Sequence, residues 1–133
     1  MSTRCNIIIE DSSDKLFFYR HSDGYPEETG KDLKEFVSNY KTGNYRDNVS
    51  QSAGWLIIRG REQMMSQHIR ISKLLNDNLT SRMYDWKVGY YEPTTGLHGD
   101  IEYLYQINLS KKTLCTYKVN YSGKKTLIET YEF

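Results

Sequence analysis

The chain has 133 residues, the length of one domain, and 38% hydrophobic with 26% charged residues is an ordinary soluble globular composition. Eighteen Lys and Arg against 17 Asp and Glu leave a formal net charge of +1. That balance argues against a strongly basic nucleic-acid domain and a polybasic membrane binder. Twelve tyrosines against a single alanine, Ala53, bias the chain toward sheet.

Cys5, Ile7 and Ile9 alternate with Arg4, Asn6 and Ile8. Asp11-Ser12-Ser13-Asp14 reads as a turn, and Leu16 to Arg20 is a second aromatic run, so an N-terminal hairpin is expected. A polar loop, Ser22 to Glu28, follows. Thr29 stands three residues before Asp32, the spacing of a capping box. Leu33, Phe36, Val37 and Tyr40 then make one helical face, which predicts a helix over 30–41 stopped near Gly43. Asn48 is placed to cap a second helix carrying Val49, Ala53, Leu56, Ile57, Gly60 and Met64. Trp55, Ile58 and Met65 widen that stripe, so this helix is expected to be the more buried of the two. Residues 66–83 give no clear period, although His68 to Ile71 alternates like a strand.

From Asp85 the period becomes two. Trp86, Val88 and Tyr90 predict a strand, Glu92 to Gly99 a loop, and Ile101 to Leu109 a second strand. Cys115, Tyr117 and Val119 form a third apolar face, Ser122-Gly123 a hairpin turn, and Leu127 to Phe133 a closing strand. The expectation is one α+β domain over 1–133: an antiparallel sheet of five or six strands, made of the N-terminal hairpin and a C-terminal meander, with two helices packed on one face.

Cys5 and Cys115 are too few for a disulfide framework or a four-thiolate zinc site, and both fall on apolar strand faces, where thiols are usually inert. No apolar run reaches the roughly 18 residues of a membrane span. With no leader pattern at Met1 to Arg4, a cytoplasmic location is expected, with both thiols reduced and no membrane association.

Two stretches are more specific. One is Thr3-Arg4-Cys5-Asn6-Ile7 followed by His21-Ser22-Asp23-Gly24-Tyr25-Pro26. The other runs from Asp85-Trp86-Lys87-Val88-Gly89-Tyr90-Tyr91-Glu92-Pro93 through His98-Gly99-Asp100 to Glu102-Tyr103. In that order they resemble a family of small uncharacterised proteins carried by phages and integrated elements of gut bacteria. Ser22 stands where the family often has an aromatic, and Glu27-Glu28 where it tends to have a glycine. The resemblance implies a mobile-element setting and supplies no catalytic residues.

His-x-Asp occurs twice, as His21 with Asp23 and His98 with Asp100. In an extended segment residues i and i+2 point the same way, so each pair can present an imidazole beside a carboxylate. If the pairs met, His21, Asp23, His98 and Asp100 could hold a divalent metal and activate water for phosphoester hydrolysis. Glu27, Glu28 and Glu102 could add carboxylates. The bland reading is two solvated loops, because Asp23-Gly24 and Tyr25-Pro26 are turn residues in any case. Arg59 and Arg61 read as a solvated helix face. Of the aromatics, Tyr103 and Tyr105 share a face with Ile101 and Ile107 and are expected in the core. Tyr91, out of phase with Trp86 and Val88, is expected at the surface.

These features favour a non-enzymatic protein that binds and sterically occludes a host macromolecule, with a component of a bacterial defence system as one such target. A host protein or ribonucleoprotein complex is the expected partner, ahead of direct nucleic-acid binding, and no cofactor is expected. The candidate contact residues are His21, Asp23, Tyr25, Tyr91, His98 and Asp100. The alternative is a small metal-assisted phosphoester hydrolase or nucleotide-binding enzyme built on the two His-x-Asp pairs.

Overall fold

The computed structural model describes residues 2–75 and 87–133. Strand β1 (Cys5–Glu10) and β2 (Lys15–Arg20) form the expected hairpin. Its turn is held by Asp11, whose Oδ1 accepts the amides of Ser13 and Asp14, both at 2.8 Å. A single π-helical turn, Pro26–Gly30, runs into helix α1 (Lys31–Lys41). Helix α2 (Val49–Leu75) follows. Asn48 caps it, with Oδ1 accepting the Gln51 amide at 2.9 Å. Strands β3 (Glu92–Thr94), β4 (Tyr103–Asn108), β5 (Thr113–Val119) and β6 (Lys125–Glu132) complete an α+β fold.

The six strands lie in the order β3-β2-β1-β4-β5-β6. The sheet is mixed rather than purely antiparallel, because β1 pairs with β4 in parallel, Ile7 opposite Tyr105. This parallel pair joins the N-terminal hairpin to the meander. It makes β1 central, which explains why Ile7, Ile8 and Ile9 are all buried.

Both helices cover one face. Leu33, Phe36 and Val37 of α1, with Val49, Ala53 and Leu56 of α2, pack on Cys5, Ile7, Ile9, Phe18, Tyr105, Ile107 and Leu114. On the opposite face Ile8, Tyr19, Ile101 and Leu104 form a smaller cluster edged by Phe17, Tyr117 and Val119. The segment between β3 and β4 is pinned there. His98 donates its amide to Asn6 Oδ1 at 2.8 Å and stacks on Tyr19 with ring centroids 3.9 Å apart.

Several expectations are corrected. The capping box is not formed, because the π turn carries helical backbone through Gly30, and Thr29 Oγ1 donates instead to the Asp23 carbonyl at 2.7 Å. Helix α2 continues through His68 to Ile71, where alternation suggests a strand. Residues 87–90 are not a strand, while Glu92–Thr94, inside the expected loop, is one. Asp85 and Trp86 lie outside the described residues. Cys5 is buried as expected, but Cys115 is only half-buried.

Residues 87–91 lie directly against α2. The Tyr90 amide donates to the Gly60 carbonyl at 3.4 Å. A Cβ on Gly60 would stand 2.9 Å from Tyr91, and one on Gly89 would stand 2.6 Å from the Arg61 amide nitrogen. We therefore expect Gly60→Ala and Gly89→Ala to lower unfolding free energy in urea by about 1–3 kcal/mol. Gly89→Ala should cost more, since the atoms it meets are backbone.

Burial also predicts alkaline unfolding. It pushes the Cys5 thiol from its ordinary 9.0 up to about 12, against the lowering effects of Arg20 and Thr29. It likewise drives the Tyr40 phenol from 10.0 to about 12 and raises Tyr105. In the unfolded chain these groups ionise near their ordinary values, so above pH 9 the folded state holds more protons. Stability should be complete below pH 9 and fall as pH rises toward 12, measured by urea unfolding at stepped pH.

Candidate functional site

Arg20 ends β2 in phase with Leu16 and Phe18, so its side chain points toward the helix layer. It is 4% exposed. Its Nε donates to the Ser22 carbonyl at 2.7 Å and its Nη1 to the Tyr91 hydroxyl at 3.1 Å. The guanidinium lies 4.7 Å from the centre of the Tyr90 ring, a cation–π distance. The Tyr91 hydroxyl in turn donates to Asp32 Oδ2. The other Asp32 oxygen, Oδ1, accepts from Arg59 Nε at 2.9 Å, Arg59 Nη2 at 2.8 Å and Gln63 Nε2 at 2.7 Å. Arg59 also reaches Glu35 at 3.0 Å. Burial, and then the adjacent Asp32 carboxylate, hold the Tyr91 phenol well above its ordinary range, so it stays a donor. Burial opposes the Arg59 charge, and the hydrogen bond and charge of Asp32 outweigh it.

This line of groups floors a cleft of ≈ 640 Å³, whose rim includes Asp23, Glu28, Glu62, Ser66, Gln67 and Arg70. Arg20 and Tyr90 form a wall shared with a second cleft of ≈ 390 Å³, which His21, Lys87 and Glu92 help to line. Chemically the larger cleft can hold a polar, hydrogen-bonding guest. Its two most buried guanidinium groups, Arg20 and Arg59, are already occupied by partners within the protein.

The two histidines are brought together, but the two His-x-Asp pairs are not. Tyr19 stands between the rings. Its hydroxyl meets His21 Nδ1 at 3.1 Å, and its ring stacks on His98. Arg4 bridges the same group, with Nε donating to His21 Nδ1 at 3.4 Å and Nη1 3.4 Å from Asp100 Oδ2. His98 Nε2 lies 3.1 Å from Thr94 Oγ1. Asp23 turns away to the larger cleft because its backbone is left-handed, φ 57°. There its Oδ1 accepts the Tyr25 hydroxyl at 3.4 Å. Tyr25 is exposed, whereas Tyr91, expected at the surface, is fully buried, since its hydroxyl bridges Arg20 and Asp32. Among the described residues no group of three or more His, Cys, Asp and Glu side chains is placed to hold a metal ion.

The feature that sequence reasoning inverted is on α2. Trp55, Ile58 and Met65, expected to be buried, are 41%, 47% and 38% exposed, and Ile69 is 47% exposed. With Glu62 they fall at 55, 58, 62, 65 and 69, one face of a helix. Trp55 is held flat on Tyr45, ring centroids 5.1 Å apart. The signal was the width of the apolar stripe, which exceeds the face that the sheet can cover.

Compared with known proteins, the chain matches no family model, no curated protein and no solved structure.

Because Asp32 fills its acceptor sites from three side chains, Asp32→Asn removes the charge that balances Arg59 while keeping the shape. A loss of about 2–4 kcal/mol in unfolding free energy is expected. Amide exchange should rise at 87–91 and at the start of α1, where the tether is lost.

Proposed function

We propose that the chain is a binding protein that docks the exposed stripe of α2 onto a macromolecular partner and occludes that partner's surface. The observation that carries this reading is the alignment of Trp55, Ile58, Met65 and Ile69 along one exposed helix face. Large aromatic and aliphatic side chains in one contiguous patch are the usual centre of a protein interface. Trp55, stacked on Tyr45, is a stiff anchor that loses little freedom on docking. Glu62 within the stripe favours a partner helix or groove with a basic residue opposite it.

A formal net charge of +1 supports a protein or ribonucleoprotein surface over bare nucleic acid. The resemblance to proteins of phages and integrated elements supports a host macromolecule, with a bacterial defence component as a candidate, and a cytoplasmic setting. No described helix is long and apolar enough to cross a membrane.

The test is affinity capture from a bacterial host lysate with the wild-type chain and with Ile58→Lys/Ile69→Lys. Both positions are half-exposed, so melting temperature should change little. A partner retained by the wild type and lost, by at least about tenfold, from the double variant is expected. Equal retention by both, retention of nothing, or phosphoester turnover by the purified chain would overturn the reading.

A further inference from the structure

The two edges of the sheet are built differently. At one edge β3 has three residues and carries Pro93, which has no amide to offer a new strand. At the other, β6 has eight residues, no proline, and the strand-favouring run Lys125-Thr126-Leu127-Ile128-Glu129-Thr130-Tyr131-Glu132. Only Tyr131 within it is better than exposed, and Leu127 and Ile128 are each 52% exposed. Among the described residues, β6 has no strand on its outer side.

A bulge decides which side chains share a face. Glu132, Tyr131, Thr130 and Glu129 oppose Thr113, Leu114, Cys115 and Thr116. The register then shifts, so that Leu127, Thr126 and Lys125 oppose Tyr117, Lys118 and Val119. Ile128 is the extra residue. Without it Lys125 and Glu132, an odd number of residues apart, would point to opposite faces. With it, Lys125, Leu127, Thr130 and Glu132 lie on the face away from the helices, and Thr126, Glu129 and Tyr131 lie toward them.

That arrangement is self-complementary. When a second β6 is laid antiparallel over its full length, Lys125 stands opposite Glu132, Thr126 opposite Tyr131 and Leu127 opposite Thr130. Each of these pairs matches in face, and the charged pair occurs at both ends by symmetry. Glu129, the carboxylate nearest the two-fold axis, is already paired with Lys34 of α1 at 2.9 Å. The charges that would guard this edge against other strands therefore attract a second copy.

We propose that β6 is a homodimer interface, two copies joining edge to edge in this full-length register to make one continuous twelve-stranded sheet. Eight residues of edge give a contact at the small end of stable interfaces, so the dimer is expected to form reversibly with concentration. This proposal uses the chain alone and a different element from the docking stripe of α2, so either can fail without the other.

Sedimentation equilibrium of the purified chain over a wide concentration range tests it. The wild type should move from 15.7 kDa to twice that mass. Lys125→Glu and Glu132→Lys each place like charges at both ends and should weaken association by about tenfold or more. Mixing the two single variants should restore a dimer of one copy of each. The double exchange Lys125→Glu/Glu132→Lys should restore the homodimer. All four sites of substitution in the dimer are exposed, and unfolding midpoints will show that each variant is folded. A wild type that stays at 15.7 kDa throughout overturns the proposal. So does a dimer indifferent to both single variants, or a mixture and double exchange that fail to rescue. An edge that captures an extended peptide but never a second copy would give the first of these results.

Discussion

The carboxylate of Asp32 is the point on which the helix layer is hung. It sits in the first turn of α1, 11% exposed at the side chain, and accepts from Arg59 and Gln63 of α2 and from Tyr91 of the segment before β3. Through Tyr91 it is joined to Arg20 at the end of β2. Two other parts of the chain thus meet the two oxygens directly, and a third, β2, joins through the Tyr91 hydroxyl. Taking such charges out of water is costly, and the arrangement is tolerable because each has an opposite charge or a full set of hydrogen bonds. Among the described residues no buried side-chain nitrogen or oxygen lacks a partner. The polar line ties α1, α2, β2 and the segment before β3 together, and the cleft of ≈ 640 Å³ lies above it.

Local pattern was legible where the core imposes it. The alternation in β1, β2, β4 and β5 and the stripe of α1 each report a face pressed against something apolar. The rest was not local. Beyond Met65 the helical stripe of α2 is continued by Ile69 alone, and Ile69 with Ile71 also fits an alternation, so the local pattern does not choose between helix and strand there. Residues 87–90 alternate as a strand would, yet two glycines let their backbone sit on α2 instead of joining the ladder. The parallel pairing of β1 and β4 is a long-range choice. Its one trace in the sequence is the unbroken run Ile7-Ile8-Ile9, which suits a strand covered on both sides.

The site was less legible than the fold, for a related reason. The inference that His21 and Asp23 point together assumes extended backbone, but β2 stops at Arg20 and Asp23 is left-handed. Of the groups that do converge, Arg20 carried a signal, being in phase with the core residue Phe18. Arg59 and Gln63 carried none, because a helix face that binds a buried carboxylate has the same composition as one that binds water. The burial of Tyr91 is not legible locally, because it depends on its hydroxyl having somewhere to donate, and the acceptor lies on another element.

One face of the sheet is closed by helices, and the other is closed only in part. The segment between β3 and β4, held by Asn6 and by His98 on Tyr19, covers the β2–β1–β4 side. Toward β5 and β6, Tyr117 packs at the margin of the Ile8 cluster, and the Lys125 ammonium stands 4.5 Å from its ring centre. Lys125 is therefore an element of both surfaces: it caps an aromatic ring on the open face and stands at the end of the free edge. Edge and face thus share one long, amphipathic side chain.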